Sequence, residues 1–195
     1  CILFQGPVLA DQYAKAQQAL DALRPWALEN SVQVSLEKTS ATAFSPGRKL
    51  RKETKEKGKH KTGADRYPGL TYGDEAVKYE AEARFLGLWL DEDFTFERHI
   101  AETRAKIEKR VKILRSVGGT CWGCKRKTLR TLHLALIQSC VDFALPAYAP
   151  FVGKTALDPL RKVETEAAMK VSGCVSRSRT TAIYGEADLL PIEQR

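Results

Sequence analysis

A strongly basic stretch, PGRKLRKETKEKGKHKTGADRYP at 46–68, most constrains what this chain can fold into. It contains almost no apolar side chain, and the apolar residues that it has follow neither helical nor strand spacing. Such a segment has no place in a protein core, because burial cannot offset the entropy that is lost when it becomes ordered. We therefore predict that 46–68 is a mobile basic insertion within a folded first domain.

The second half of the chain is predicted to contain three helices, because apolar residues recur there at helical spacing. The first begins with Thr95 as its N-cap and ends at Gly118 and Gly119. The second covers about 127–143, and the third covers about 158–172. The apolar stripe of the first helix comprises Phe96, Ile100, Thr103, Ile107, Leu114 and Val117, with Val111 at its edge.

The first half of the chain mixes helical and strand patterns. Apolar spacing predicts a helix over 9–27, with a kink or break near 22–24 because Pro25 removes one backbone donor. Strand patterns follow at 32–36, at 41–45, in a hairpin over 70–80, and at 83–90, the last buried on both faces. The fold class is therefore predicted to be α+β, with a helix on a small antiparallel sheet followed by an all-α region of three helices.

The net charge of +8 is concentrated in two segments. Residues 48–66 contain nine Lys/Arg against three Asp/Glu, and residues 96–130 contain eleven Lys/Arg against three Glu. The rest of the chain is acidic, so the positive charge is local rather than general. Local positive potential is typical of proteins that bind phosphate backbones, and we therefore expect a nucleic-acid partner. Two solvated basic faces are the alternative.

Membrane spans and disulfides are not expected. No apolar run approaches the roughly 18 residues that a membrane span requires, and 1–7 does not have the features of a signal peptide. The five cysteines show no disulfide spacing, which favours a reducing, intracellular compartment.

Cys121 and Cys124 have the spacing of half a zinc site, so a zinc-stabilised helical module remains a third alternative, although we assign no metal ligand.

Several segments in a fixed order resemble the reverse transcriptases of non-LTR (LINE-type) retrotransposons. They are VSLEKT at 34–39, FLGLWLDEDFTFERHI at 85–100, CWG at 121–123, LHLALIQSCVDFALPAYAP at 132–150, LRKVETEAAMKVSG at 160–173 and RTTAIYGEADLLPIEQR at 179–195. The resemblance covers nearly the whole chain except 46–68. It implies the C-terminal part of a palm at 1–94 with the insertion 46–68, a helical thumb at 95–175, and a linker toward a following domain at 176–195.

The resemblance also implies roles for individual residues. Lys38 corresponds to a palm lysine proposed to donate a proton to the pyrophosphate leaving group, although Ser35 stands where the family usually has Asn. The primer grip falls on Phe85, Leu86 and Gly87. The phosphates of the duplex would be contacted by Arg98, Arg104, Lys106, Lys109 and Lys112. The structural alternatives are a solvated turn lysine, a buried strand with a bulge, and a solvated helix face.

The polymerase centre of the family holds two Mg²⁺ ions on a Tyr-x-Asp-Asp turn and an earlier aspartate. Asp11, Asp21, Asp91 and Asp93 do not fit that pattern. The strand expected at 1–4 resembles the one that leaves the turn. We therefore expect the parent enzyme to use Mg²⁺ that this chain does not bind.

On this interpretation the chain is a fragment of an RNA-directed DNA polymerase, a nucleotidyltransferase, and whether the fragment is itself an enzyme stays open. Its expected partners are the RNA template–DNA primer duplex and the missing fingers and N-terminal palm, in the nucleus and away from membranes. The alternative is a domesticated, non-enzymatic RNA-binding component of a larger assembly.

Overall fold

The computed structural model describes residues 1–6, 9–44, 69–119 and 122–195. The predicted insertion 46–68 lies outside the described residues, and so does Cys121. The chain divides into two compact units, Cys1–Phe94 and Thr95–Arg195. The first unit mixes a helix with small sheets and the second is mainly helical, which agrees with an α+β fold.

The first unit packs one long helix, α1 (Leu9–Glu29), against a small sheet. The strands are β1 (Ser40–Ala41), β2 (Leu70–Tyr72), β3 (Glu75–Tyr79), β4 (Glu82–Phe85) and β5 (Leu88–Asp91). β3 lies between β1, which is parallel to it, and β2, which is antiparallel, while β4 and β5 form a separate hairpin.

The side-chain amide of Gln17 donates to the Thr71 carbonyl at 2.9 Å and accepts from the Thr71 N–H at 3.0 Å. It thus binds the outer edge of β2 as a further strand would.

Three predicted strands of the first unit are wrong, and the predicted helix does not break before Pro25. α1 continues unbroken through Pro25 to Glu29, because Pro25 costs one backbone bond at an exposed position where water can satisfy the freed carbonyl. A kink near 22–24 stays a prediction. The predicted strand at 32–36 is absent, since alternation alone supplies no partner strand, and Leu36–Lys38 forms a 3₁₀ turn instead. The predicted strand at 41–45 is reduced to β1, and residues 1–4 are not in a regular element.

The predicted hairpin at 70–80 is confirmed as β2 and β3, whereas the predicted single strand at 83–90 is wrong. That segment turns back on itself at Leu86 and Gly87, whose φ angles are 48° and 88°. Two consecutive positive φ angles define the tight turn that suits the twist of a hairpin. The continuous apolar run concealed this turn, because leucine seldom adopts a left-handed conformation. The turn also exposes Phe85 and Leu86, so the segment is not buried on both faces.

Replacing Leu86 by asparagine is expected to stabilise the first unit by about 0.5–1 kcal/mol, because asparagine tolerates positive φ and asparagine–glycine is the preferred pair in this turn. Urea unfolding followed by tryptophan fluorescence would measure the change, since Trp89 lies on the neighbouring strand. Leu86→Val is the control and is expected to destabilise the unit. A loss of stability in the asparagine variant would contradict the strain assigned to Leu86.

The second unit is built from helices around one apolar core. They are α2 (Glu97–Val117), α3 (Arg126–His133), α4 (Ser139–Asp142), α5 (Leu145–Tyr148), α6 (Asp158–Ser172) and α7 (Thr180–Ala187). A π-helical segment, Leu134–Gln138, joins α3 to α4, and 3₁₀ turns cover Lys154–Leu157 and Ile192–Gln194. α6 lies at the centre and packs against both α2 and α7. Residues from three segments are fully buried in this core: Ile107, Leu114, Ile137, Leu160 and Ala167.

The three helices predicted after residue 94 are confirmed, with small differences at their ends. The apolar stripe of α2 is buried from Phe96 to Leu114, and Val111 lies within it rather than at its edge. The N-cap of α2 is Phe96, with a φ of 56°, rather than Thr95. Phe96 is 2% exposed and packs near Tyr148, so burial of its ring outweighs the preference for a polar cap.

The sequence did not indicate the π-helical segment. Its wider turn is accompanied by a bond from α2, in which the Arg110 guanidinium donates to the Leu136 carbonyl at 2.7 Å. The same nitrogen lies 2.6 Å from the Cys140 sulfur. Arg110 therefore holds α2 to the π-helical segment and is not available to a ligand.

Residues 176–195 contain a packed helix, although we interpreted them as a linker. α7 lies against α6, and the buried side chains of this stretch are Ile183, Tyr184, Ala187, Leu189 and Ile192. The segment is therefore part of the helical unit in this structure. Whether it also leads to a following domain stays a prediction.

Candidate functional site

The face of α2 opposite its buried stripe is basic. At about 100° per residue, four of the five predicted phosphate contacts lie within an arc of about 120° on that face. They are Arg98, Lys106, Lys109 and Lys112, and all four side chains are exposed. We call these four residues the basic face.

Ion pairs neutralise only part of the basic face. Arg98 lies 3.5 Å from Glu102, one turn along α2. Within the part of the chain that the structure describes, no carboxylate lies within ion-pair distance of Lys106, Lys109 or Lys112. Three ammonium groups on two turns of helix therefore create a local positive potential that is open to solvent.

Arg104, the fifth predicted contact, lies elsewhere on α2. It pairs with Glu108 at 2.8 Å and lines an open groove of about 460 Å³ between α2 and the start of α6. Arg115 also points toward α6, where it pairs with Glu166. The structure thus brings four of the predicted contacts together and separates Arg104 from them.

Lys38, the predicted proton donor, ends the 3₁₀ turn of the first unit and is exposed. The Ser35 side chain makes no capping bond there, and the Ser35 carbonyl accepts from the Thr39 hydroxyl at 2.7 Å. Among the described residues no carboxylate pairs with the Lys38 ammonium. Its exposed ammonium group is therefore free to meet a phosphate.

The predicted primer grip forms the tip of the β4–β5 hairpin. Phe85 is 45% exposed and Leu86 is 83% exposed, so an apolar surface projects from the sheet. Behind it Arg84 pairs across the hairpin with Trp89, and its guanidinium lies 5.8 Å from the centre of the indole. The tip can therefore contact a ligand through apolar atoms while the strands hold it in place.

The described residues contain no group of side chains that could form a metal centre. Nowhere in the described ranges do three His, Cys, Asp or Glu side chains lie close enough to hold an ion. Since Mg²⁺ prefers grouped carboxylates, we assign it no site here and derive no step of phosphoryl transfer from these residues. Cys124 is a free, exposed thiol, and the zinc hypothesis stays untested because Cys121 lies outside the described residues.

A buried polar cluster in the second unit was not predicted. Glu164 is 0% exposed, and the Arg195 guanidinium donates to its carboxylate at 2.5 Å. Arg195 also lies 3.3 Å from Asp142, and the neighbouring His133 is 0% exposed. We call Glu164, Arg195, Asp142 and His133 the buried polar cluster.

Burial changes the protonation of this cluster. It raises the pKa of the Glu164 carboxyl, although the Arg195 guanidinium counteracts this. Burial lowers the pKa of His133 to about 4, and the positive charges of Arg195 and Arg130 add to the effect. His133 is therefore neutral at neutral pH. Glu164, His133 and Arg195 are at most 8% exposed, whereas Asp142 is 38% exposed and lies at the edge of the cluster. Since its central groups are closed to solvent, we interpret the cluster as structural.

Helical spacing could have revealed two members of the cluster. Glu164 follows Leu160 by one turn and precedes Ala168 by one turn, on the buried side of α6. His133 stands in the same relation to Leu129 and Ile137. A charged residue at a core position indicates a buried partner, but the spacing does not identify that partner.

Within the described ranges, no helix combines the length and the hydropathy that crossing a bilayer would need.

In comparisons with known proteins, the chain is similar to proteins of mobile elements. It is 24% identical over 177 residues to the RNA-directed DNA polymerase from mobile element jockey of Drosophila melanogaster, covering 89% of this chain and 17% of that protein. The corresponding jockey protein of Drosophila funebris is 22% identical over 96% of this chain and 18% of its own length. The Pol polyprotein from type-1 retrotransposable element R1 of Bradysia coprophila is 24% identical over 63% of this chain and 13% of its own length.

The resemblance to non-LTR retrotransposon proteins is thereby confirmed, and the chain spans less than a fifth of the length of these relatives. No protein-family model matches the chain, and no solved structure matches it significantly.

Proposed function

We propose that this chain is part of the RNA-directed DNA polymerase of a non-LTR retrotransposon, and that it holds the template–primer duplex. On this proposal the first unit is the C-terminal part of the palm and the second unit is the thumb. The similarity to the jockey and R1 proteins supports the polymerase assignment. The positive charges of α2 support the duplex-holding role.

The observation that carries the proposal is the basic face of α2. Lys106 and Lys112 are separated by about 9 Å along the helix axis, at 1.5 Å per residue. Successive phosphates of one duplex strand advance by about 3.4 Å along the duplex axis, so this distance corresponds to about three phosphates. Contacts of this kind position a duplex without reading its sequence, as a polymerase that copies any template requires.

The other predicted residues complete the proposal. The exposed tip at Phe85, Leu86 and Gly87 would contact the primer, and Lys38 would donate a proton to the leaving pyrophosphate. We expect the carboxylates that hold Mg²⁺ to lie in other parts of the polymerase, and we propose that the protein acts in the nucleus. The chain by itself would then bind a duplex without extending it.

Replacing Lys109 and Lys112 by glutamine is expected to weaken binding to a blunt RNA–DNA duplex and to lower its salt dependence. Each lost phosphate contact should reduce the slope of log K against log salt by about 0.9, so the double variant should lose about 1.8. Fluorescence anisotropy of a labelled duplex, measured over a range of salt concentrations, gives this slope.

The matched control is Lys162→Gln with Lys170→Gln, which removes two exposed lysines from α6 and leaves the basic face intact. This control is expected to retain most of the slope. If both double variants lose affinity and slope equally, binding is a property of the total charge and the basic face has no special role. If the wild-type chain binds no duplex at low salt, the proposed function is wrong.

A further inference from the structure

The loop between α2 and α3 carries an exposed indole that the proposed duplex contacts do not use. Trp122 is 69% exposed, and among the described residues no phenylalanine or other tryptophan is more exposed. The loop is closed beneath it, because Gly118 and Gly123 form an isolated β-bridge. The Cys124 N–H also donates to the Val117 carbonyl at 2.9 Å. Trp122 therefore projects from a closed turn at the C-terminal end of α2.

Glycines on both sides hold the indole in its position. A Cβ atom on Gly119 would lie 2.9 Å from Nε1 and Cε2 of Trp122, so the ring lies directly against the Gly119 backbone. Gly123 has a φ of 116°, and a Cβ atom there would lie 2.4 Å from the Val117 carbonyl oxygen. Only glycine fits either position without a shift. One part of the ring thus contacts the loop, while most of its surface remains open to a ligand.

The chain that follows the exposed ring is basic. Lys125, Arg126 and Lys127 lie three to five residues after Trp122 in the chain, and all three are exposed. Arg126 lies 3.2 Å from Glu186, whereas the two lysines have no ion pair with any residue that the structure describes. The basic face also reaches this end of α2, since Lys112 precedes the helix end by less than two turns.

An exposed aromatic ring beside unpaired lysines suits one class of ligand. An apolar protein surface would leave these charges unneutralised, and a duplex keeps its bases stacked inside the helix, out of reach of an indole. An unpaired nucleotide offers both a phosphate for the lysines and a free π-face for the ring. We propose that Trp122 stacks on an unpaired base of a single-stranded segment, next to the duplex held by the basic face. This inference rests on the proposed function and adds a single-strand subsite to it.

The test uses the chain with Trp26→Phe and Trp89→Phe, so that Trp122 is the one remaining tryptophan. Titration with oligo(dT) and with oligo(rU) should quench its fluorescence, and a blunt duplex should quench it much less. In an otherwise unchanged chain, Trp122→Ala should weaken binding of either labelled oligonucleotide by about 10-fold, which is the scale of one lost stacking contact. The same variant should bind blunt duplex as the wild type does.

Phe143→Ala is the matched control, because Phe143 is an exposed aromatic residue beside an acidic one, Asp142, and should leave both affinities unchanged. Gly119→Val tests the positioning of the ring, and it should weaken oligonucleotide binding as Trp122→Ala does. Unchanged oligonucleotide affinity in Trp122→Ala, or equal losses for oligonucleotide and blunt duplex, would overturn the inference while leaving duplex binding in place. Absence of binding to any nucleic acid would overturn the proposed function as well.

Discussion

Glu164→Ala is expected to destabilise the helical unit by about 3–5 kcal/mol. The Arg195 side chain is 8% exposed and donates to the Glu164 carboxylate at 2.5 Å, so the substitution leaves a buried guanidinium without its main partner. Removing one member of a buried ion pair has a cost of this size, because the remaining charge stays buried without its nearest partner. Asp142, 3.3 Å from Arg195 and 38% exposed, replaces only part of the lost pairing. Urea unfolding followed by circular dichroism would measure the loss in the helical signal.

Glu166→Ala is the matched control, since Glu166 is on the same helix and pairs with Arg115 at the surface. The side chains of that pair are 36% and 49% exposed, and its loss should cost less than about 1 kcal/mol. Both variants change glutamate to alanine in α6, so helix propensity affects them equally. Equal losses in the two variants would show that the buried pair does not hold the C-terminal segment to α6.

Replacing both Glu164 and Arg195 by methionine extends the same prediction. When both charges are removed, no fully buried charge remains without a partner, and apolar side chains of similar volume fill the site. Asp142 loses Arg195 as well, but its side chain is 38% exposed and remains hydrated. The double variant is therefore expected to be more stable than Glu164→Ala. If the double variant is as unstable as Glu164→Ala, the loss of stability comes from altered packing and not from an unpaired buried charge.

His133→Leu is expected to remove an acid sensitivity worth about 3 kcal/mol. The pKa of His133 is lowered from 6.5 to about 4 in the folded chain, chiefly by burial. Between these two pH values His133 binds a proton in the unfolded state but not in the folded state. The free energy of unfolding therefore falls as the pH drops from about 6.5 to about 4, and then levels off. A difference of about 2.5 pKa units corresponds to about 3 kcal/mol.

Urea unfolding at a series of pH values would test this, and the difference between wild type and His133→Leu isolates the contribution of His133. Other groups change over the same range. Burial also lowers the pKa of His99, which adds to the loss, whereas burial raises the pKa of Glu164, which acts in the opposite direction. His99→Leu is the matched control and should leave the part assigned to His133 intact. Parallel curves for wild type and His133→Leu would contradict the assignment.

The helical part of the fold could be predicted because its signal is local. A helix repeats every 3.6 residues, so the buried stripe of α2 and the glycine after α6 can be identified without knowing what packs against them. The same periodicity predicted a cationic side of α2 opposite its core. The ordered segments at 34–39 and 85–100 added the resemblance to reverse transcriptases, which the relatives confirm.

The β4–β5 hairpin, unlike the hairpin of β2 and β3, could not be predicted from the same information. In the run at 83–90 the apolar pattern is that of a strand, and nothing in it marks Leu86 as the left-handed position of a turn. Pairing between β4 and β5 fixes that conformation, since the bonds of the hairpin offset the strain at one residue. The exposed tip at Phe85 and Leu86 follows from this pairing alone.

The sequence by itself therefore determined the helices of this protein, the positive charge of α2 and the relatives of the chain, because each depends on residues near one another along the chain. Only the tertiary structure decided that Arg104 faces a groove, that Trp122 stands out from a closed loop, and that Glu164 meets Arg195. Glu164 and Arg195 are 31 positions apart, and no periodic pattern connects them. Contacts over such distances depend on how the helices pack, and packing is a property of the folded chain as a whole.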